Sequence, residues 1–481
     1  MRKGCLIAAA LGLAETLCFG EGPAYQLHGQ AWTEYGRIVS ASDSLLPGKN
    51  NGNLTLDLNG NPIVSMGGQF TIQADLAEHW DAAFGFGAYK ASHALGHGQK
   101  SFLTISMFQN FLTESRLTWY QGEKAAPGFS VTLGSFAYKY NPDVQNLGLY
   151  LLRGPVYPGV LMGGFRDFAV DTSKATQLGL KVHHAIGNFS HDLILNSERD
   201  IPPTFDLSLA YIAKYRALDA LEFGAGVNFY RLIPYDKSMQ TPGKLSDDKL
   251  SFHKENYIEV DPANPTDTVF FTHKGIKAMG MFSVDFKSLI GIGNMGKDDL
   301  KLYGEAAIIG LENYGKTYSK ITERIPVMLG FNFPVFKYLD HLSLELEYYG
   351  SPYRNDLKGL GNNNVVADWT IQDHPVPSPK PVSNAEYGID SAGNWTNATG
   401  QVINLSGTGL LREKVSTDDF KWSVFVDKTV KDHIRFTGQV ANDHYRPRPV
   451  ATGLIASAGG LAEAFSESSN WYFMLRVGYL F

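Results

Sequence analysis

Trp471-Tyr472-Phe473-Met474-Leu475-Arg476-Val477-Gly478-Tyr479-Leu480-Phe481 is the stretch whose reading decides the fold. Side chains two apart in a β-strand share a face. Trp471, Phe473, Leu475, Val477, Tyr479 and Phe481 therefore make one wholly apolar and aromatic face, while Arg476 lies on the other. The stretch reads as a strand with one oily side and one side that tolerates a charge.

The same period recurs along the chain. At 300–309 (LKLYGEAAII), Leu302, Ala306 and Ile308 oppose Lys301, Tyr303 and Glu305. At 341–349 (HLSLELEYY), Leu342, Leu344 and Leu346 oppose Glu345 and Glu347. At 420–428 (FKWSVFVDK), Phe420, Trp422 and Val424 oppose Lys421 and Asp427, and at 433–441 (HIRFTGQVA) Ile434 and Phe436 oppose Arg435. Composition agrees with strands and turns: 50 Gly, 24 Tyr and 29 Phe accompany only 19% charged residues in 481, and glycine with aromatics favours sheets over helices.

The first residues read as a secretory signal over 1–20. Arg2 and Lys3 precede the apolar Cys5–Leu13 run, and small residues follow that suit cleavage after Gly20 or Ala24. Such cleavage removes both cysteines, Cys5 and Cys18, and leaves 21–481 as one domain held without a disulfide. The formal net charge is -6, with no basic stripe of the kind nucleic acid requires.

Alternation alone does not separate a soluble sandwich from a membrane barrel, because either can pair an apolar face with a polar one. Connection lengths do. Sixteen candidate strands run at about 25–39, 61–76, 80–93, 107–121, 128–138, 174–185, 188–197, 204–215, 220–232, 269–286, 298–310, 324–335, 341–350, 419–428, 433–443 and 469–481. Short turns follow the even strands and mostly long polar loops follow the odd ones, so turns collect on one rim and loops on the other. This predicts an all-β fold: a transmembrane antiparallel up-and-down barrel of about 16 strands, with short periplasmic turns and long extracellular loops.

Signal segment, cysteine-free body, parity-sorted loops and a last strand ending on Phe481 together resemble the porin-type β-barrels of bacterial outer membranes, of the general-diffusion kind. The resemblance covers about residues 25–481 in architecture; the terminal stretch is its one motif. It implies that Trp471, Tyr479 and Phe481 form the signal read by the barrel-insertion machinery. It also implies passive diffusion of small hydrophilic solutes through a water-filled channel, an outer-membrane location in contact with lipid, and, as porins of this size often form, a homotrimer.

The resemblance further implies one loop folded into the pore. The best match is 139–167, with Tyr140, Asp143, Asn146, Arg153, Tyr157 and Arg166 around an apolar LGLYLLRG; an external loop packed on its neighbours is the alternative. Arg116, Glu305, Glu345, Glu347, Lys421, Arg435 and Arg476 face inward by alternation and complete the expected channel lining, walls of both signs that set a transverse field. Each of these charges, taken singly, has a plainer reading as a solvated side chain.

Other chemistry is sparse. His183, His184, His191 and Asp192 lie on one hairpin, and a barrel hydrolase is a third reading, but the hairpin falls on the turn side, away from external substrate. No clustered Cys and His set indicates a metal, Gly224-Ala225-Gly226 belongs to a strand, and no cofactor is expected. Loop 351–418, with Asn362-Asn363-Asn364 and the proline-spaced 374–382, keeps a second function class open, a surface adhesin or carbohydrate-binding barrel working through its loops.

Overall fold

The structure is a computed structural model that describes residues 24–41, 44–47, 53–56, 59–60, 62–95, 103–152, 175–197, 205–240, 254–261, 264–272, 274–293, 295–311, 321–350, 376–382, 387–389, 395–397, 419–443 and 467–481. The expected signal segment lies outside them.

Sixteen antiparallel strands close into a barrel. In chain order they are β1 (Ala24–Ser40), β2 (Pro62–Ala77), β3 (Trp80–Leu95), β4 (Leu103–Gln121), β5 (Phe129–Tyr138), β6 (Ala175–Ile186), β7 (Phe189–Ser197), β8 (Leu207–Leu218), β9 (Leu221–Ile233), β10 (Gly275–Asp285), β11 (Lys301–Ile309), β12 (Val327–Asn332), β13 (His341–Tyr348), β14 (Phe420–Val430), β15 (Ile434–Asn442) and β16 (Trp471–Leu480). Each pairs with its neighbours in sequence, and β16 returns to β1 in a register that sets Glu34 opposite Arg476. Closure removes the open edges that a flat sheet would leave. The ladder runs on to the last residue: Gly29 N donates to Phe481 O at 2.8 Å and Phe481 N donates to Gly29 O at 3.0 Å.

Two faces follow from the period of 2. Outward lie Leu27, Tyr35, Met66, Phe84, Leu133, Leu193, Phe223, Leu329, Phe436, Leu475 and Val477, all exposed; such a continuous apolar exterior is what hydrocarbon solvates. Aromatics gather where strands meet the turns. Trp80 pairs across the ladder with Trp119, and the Trp119 and Phe129 rings lie 5.9 Å apart. Tyr479 stacks on Phe481 and on His433. Amphipathic rings at this level mark a membrane interface.

The structure corrects the expected loops in one respect. The run read as a single strand at 269–286 is two: Asn264–Thr272 stands outside the barrel and β10 begins at Gly275. Asn264–Thr272 pairs with Lys254–Asp261 on one side and with Val376–Val382 on the other, and Asp236–Gln240 completes a four-stranded sheet. Loops after β9 and β13 are thus joined to each other. Apolar residues run from Val269 to Phe271 and resume at Ile276, and the short polar break at 272–274 does not say that the partner changes.

Candidate functional site: a segment held inside the barrel

After β5 the chain turns into the barrel. Residues 140–152 include Tyr140, Val144, Leu147, Leu149, Tyr150, Leu151 and Leu152, every one buried. They form one apolar cluster with inward side chains of the wall: Phe136 and Tyr138 on β5, Ile194 on β7, Ala210 and Ile212 on β8, Met279 and Met281 on β10, Tyr303 and Ala307 on β11, and Met328 on β12. Burying a side chain of leucine size stabilises by about 1.5–3 kcal/mol relative to exposure, so a segment this apolar is held far better against a wall than in water. Half of the barrel interior is therefore a packed core.

Backbone groups taken out of water need partners, and two wall glutamates accept five of the segment's N–H donors while a third takes a tyrosine hydroxyl. Glu305 on β11 accepts from Leu149 N at 3.0 Å, Tyr150 N at 2.8 Å and the Tyr140 hydroxyl at 2.5 Å. Glu345 on β13 accepts from Gln145 N, Asn146 N and Leu147 N at 2.5, 2.8 and 2.7 Å, and from the Tyr303 hydroxyl at 3.0 Å. Glu347 accepts from the Tyr150 hydroxyl at 2.7 Å. Carbonyls are served as well: Asn228 donates to Leu151 O at 2.9 Å, Lys277 to Tyr150 O at 3.4 Å and Lys214 to Tyr140 O at 3.4 Å. Hydrogen bonds to an ionised acceptor are the strong ones.

Local geometry makes the grip possible. Gly148 (φ 83°) and Leu149 (φ 58°) are consecutive left-handed residues, which turn the N–H groups of 149 and 150 toward Glu305. A Cβ on Gly148 would stand 2.7 Å from Met328 Cε and 3.4 Å from Glu305 Oε2. Glycine is favoured here by its left-handed dihedral, and an added Cβ would also push the end of the Met328 side chain aside.

The segment also reaches across. Asn146 Nδ2 donates to Ser423 Oγ at 3.0 Å and to Asp443 Oδ2 at 2.5 Å, and Asp443 Oδ2 accepts from the Tyr472 hydroxyl at 2.9 Å. At its turn-side end, Asp143 accepts from Ser283 Oγ at 2.6 Å and from Lys301 Nζ at 3.0 Å; Lys301 also donates to Asp298 at 2.8 Å. Burial raises the Asp298 carboxyl, but the hydrogen bond and charge of Lys301, with His341 and Lys297, outweigh it and hold that carboxyl below its ordinary range.

The facing wall is built differently. Arg116 on β4 pairs with Asp81 at 2.7 Å and Glu114 at 3.1 Å and donates to Thr118 at 2.9 Å. Arg476 on β16 pairs with Glu34 at 2.5 Å, and Arg435 on β15 with Asp427 at 2.6 Å. On the segment's own side of the barrel, His183 meets Asp192 at 2.7 Å, and the second oxygen of Asp192 accepts from the hydroxyl of Tyr138, a member of the packed cluster, at 2.6 Å. In that arrangement Asp192 is the hydrogen-bond partner of His183 among the described residues, and no nucleophile is bonded to the imidazole. His184 and His191 lie beside each other at 3.0 Å, next to Tyr211.

Of the residues expected to line the channel, Glu305, Glu345 and Glu347 face inward but are 3%, 1% and 1% exposed, covered by the segment they hold; Lys421 is 2% exposed. Arg116, Arg435 and Arg476 face inward on the other half, and Asp143 sits in the segment. Arg153, Tyr157 and Arg166 lie outside the described residues. Asn228, Lys277 and Asp443 belong to the same assembly and escaped the sequence reading, while Tyr303 was placed on the inner face without a role. Alternation puts the three strand residues on the inner face but does not say what rests on that face.

Taken together, a closed sixteen-stranded wall, an apolar exterior bounded by aromatics and a charged, partly filled interior define a membrane-spanning β-barrel with the organisation of outer-membrane barrels. Among solved structures the chain is similar to a mutant of Rh. blastica porin, with TM-score 0.36, 9% identity, and coverage of 95% of this chain and 100% of that one. It is similar also to Salmonella typhi OmpF in complex with daunomycin, with TM-score 0.41, 10% identity, and coverage of 96% and 98%. No protein-family model matches the chain, and no curated protein matches it significantly.

Proposed function

We propose that the protein is a passive channel for small hydrophilic solutes across the outer membrane, narrowed by residues 140–152. The observation that carries this reading is the asymmetry of the interior. One half of the wall is covered by a gripped segment, while the other presents ion-paired but partly hydrated charges, Arg116, Arg435 and Arg476 among them. A barrel of sixteen strands is wide enough for water to remain beside such a segment, and walls carrying both signs pass polar solutes by size and charge.

Purified full-length protein in a planar lipid bilayer tests it. Discrete conductance steps are expected, with weak ion selectivity. A barrel that inserts, stays silent, and binds polysaccharide through the sheet formed by the loops after β9 and β13 would replace the channel by a surface-binding function. The homotrimer that accompanies the channel reading is measured in the same preparation by its mass in detergent.

A further inference from the structure

Between the inward segment and the turn rim lies a cavity of ≈ 390 Å³, within the size of small-molecule sites. It is bounded above by Asp143 and Gln145, and at the rim by the turn after β8 and the turn that leads into β11. Carboxylates outnumber cations in its lining, five (Asp285 among them, 3.9 Å from Lys287) against Arg216, Lys297 and Lys301. Most of these are already matched. Lys301 bridges Asp143 and Asp298, and Glu222 lies 3.9 Å from both Lys214 and Arg216.

Two lining charges are only loosely matched, Lys297 acting on Asp298 through its charge without a direct contact. Asp219 and Lys297, on the two turns, make no salt bridge among the described residues, so the rim offers one carboxylate and one ammonium to whatever enters. His341 also lines the cavity; it is more than nine-tenths buried, and its Nε2 has no hydrogen-bond partner among the described residues. A buried ring nitrogen without a partner costs free energy until something bonds to it.

The lining discriminates among solute classes. Besides the His341 imidazole it holds no aromatic ring among the described residues, so a sugar finds no flat face to stack on and a quaternary ammonium finds no cage. A lone anion meets an excess of carboxylates. A solute with a primary ammonium group and a carboxylate can donate to Asp219 or Glu222 and accept from Lys297 or Arg216 at once. We infer that this turn-side cavity is a binding site for amino acids or short peptides, entered or left through the periplasmic rim. Its place on a conduction path rests on the channel reading; the binding itself does not.

L-alanyl-L-alanine and glucose are the probes, applied to full-length protein in a planar bilayer and, separately, to the detergent-solubilised protein in saturation-transfer NMR. The dipeptide added on the turn side is expected to raise open-channel current noise about fivefold over glucose, the scale of a weak two-point ionic contact. The double variant D219N/K297Q, two turn positions outside the strands, is expected to bring the dipeptide down to the glucose level in both measurements. Equal responses to dipeptide and glucose, or a response that the double variant leaves unchanged, overturn the site. A silent bilayer with saturation transfer to the dipeptide that D219N/K297Q abolishes upholds the site and removes the channel reading alone.

Discussion

The two halves of the barrel interior solve the same problem in different ways. Under residues 140–152, the inward carboxylates of β11 and β13 are almost without solvent contact and accept backbone N–H groups. On the facing wall, the inward carboxylates Asp81, Glu34 and Asp427 accept from arginines of neighbouring strands, which keep partial access to water. The first arrangement fixes the position of a piece of chain. The second fixes the position of charge. Solvent access decides how much each is worth, because exposed ion pairs contribute little while buried ionised acceptors are costly to leave unmatched.

The comparison breaks most completely if the grip is removed. In E305A/E345A the N–H groups of 145–147 and 149–150 lose their acceptors, and the docked segment is expected to lose about 3–5 kcal/mol, the cost of breaking a buried charged contact. Single-channel conductance should rise, and limited proteolysis should cut within 140–152; unchanged conductance with an intact segment would mean that the apolar cluster holds it alone. G148A is a milder intervention on the same half. A Cβ at φ 83° facing Met328 costs about 1–3 kcal/mol of backbone strain, expected as brief, frequent openings in single-channel records.

On the facing wall R116A should leave conductance within a small factor of the parent and lower thermal stability by about 1.5–3 kcal/mol, since Asp81 is buried while Arg116 keeps partial access to water, and it should shift the reversal potential toward cation preference because Asp81 and Glu114 remain. A loss of stability as large as that of E305A/E345A would erase the distinction between the halves. The smallest effect belongs to the turn before β13. Asp340 is raised by burial, but Lys428 and Thr429 N together outweigh that and lower it on balance. Because its folded value is depressed, its contribution is present above the unfolded carboxylate range and fades as pH falls through the folded value. The Thr429 amide resonance should follow that fall in acid, and D340N should abolish the dependence.

Much of this was readable in the chain. Alternation located fifteen of the sixteen barrel strands within a few residues and began the tenth too early, at 269 where the barrel strand starts at Gly275; it works because one face meets hydrocarbon and the other meets water or protein, and a slip by one residue reverses every side chain. The 147–152 run stood out as too apolar for a loop in water. What could not be read is pairing between distant loops: 264–272 finds Val376–Val382 across more than a hundred residues, and no local pattern encodes that. The role of Glu305, Glu345 and Glu347 was hidden for a related reason. A glutamate on the inner face looks the same in sequence whether it meets solvent or a backbone.

The grip has a consequence for the order in which the molecule is built. Tyr140 contacts Glu305 over 165 residues of sequence, Gln145 contacts Glu345 over 200 and Asn146 contacts Asp443 over 297. Contacts this remote form slowly, because the closure of long loops precedes any reward. Leu147 to Leu152 are made early in synthesis, but their receptor exists only once β11 to β13 have joined the growing sheet. Throughout that interval the chain carries an uncovered apolar stretch that must be kept from other surfaces, and docking comes late in the order of assembly.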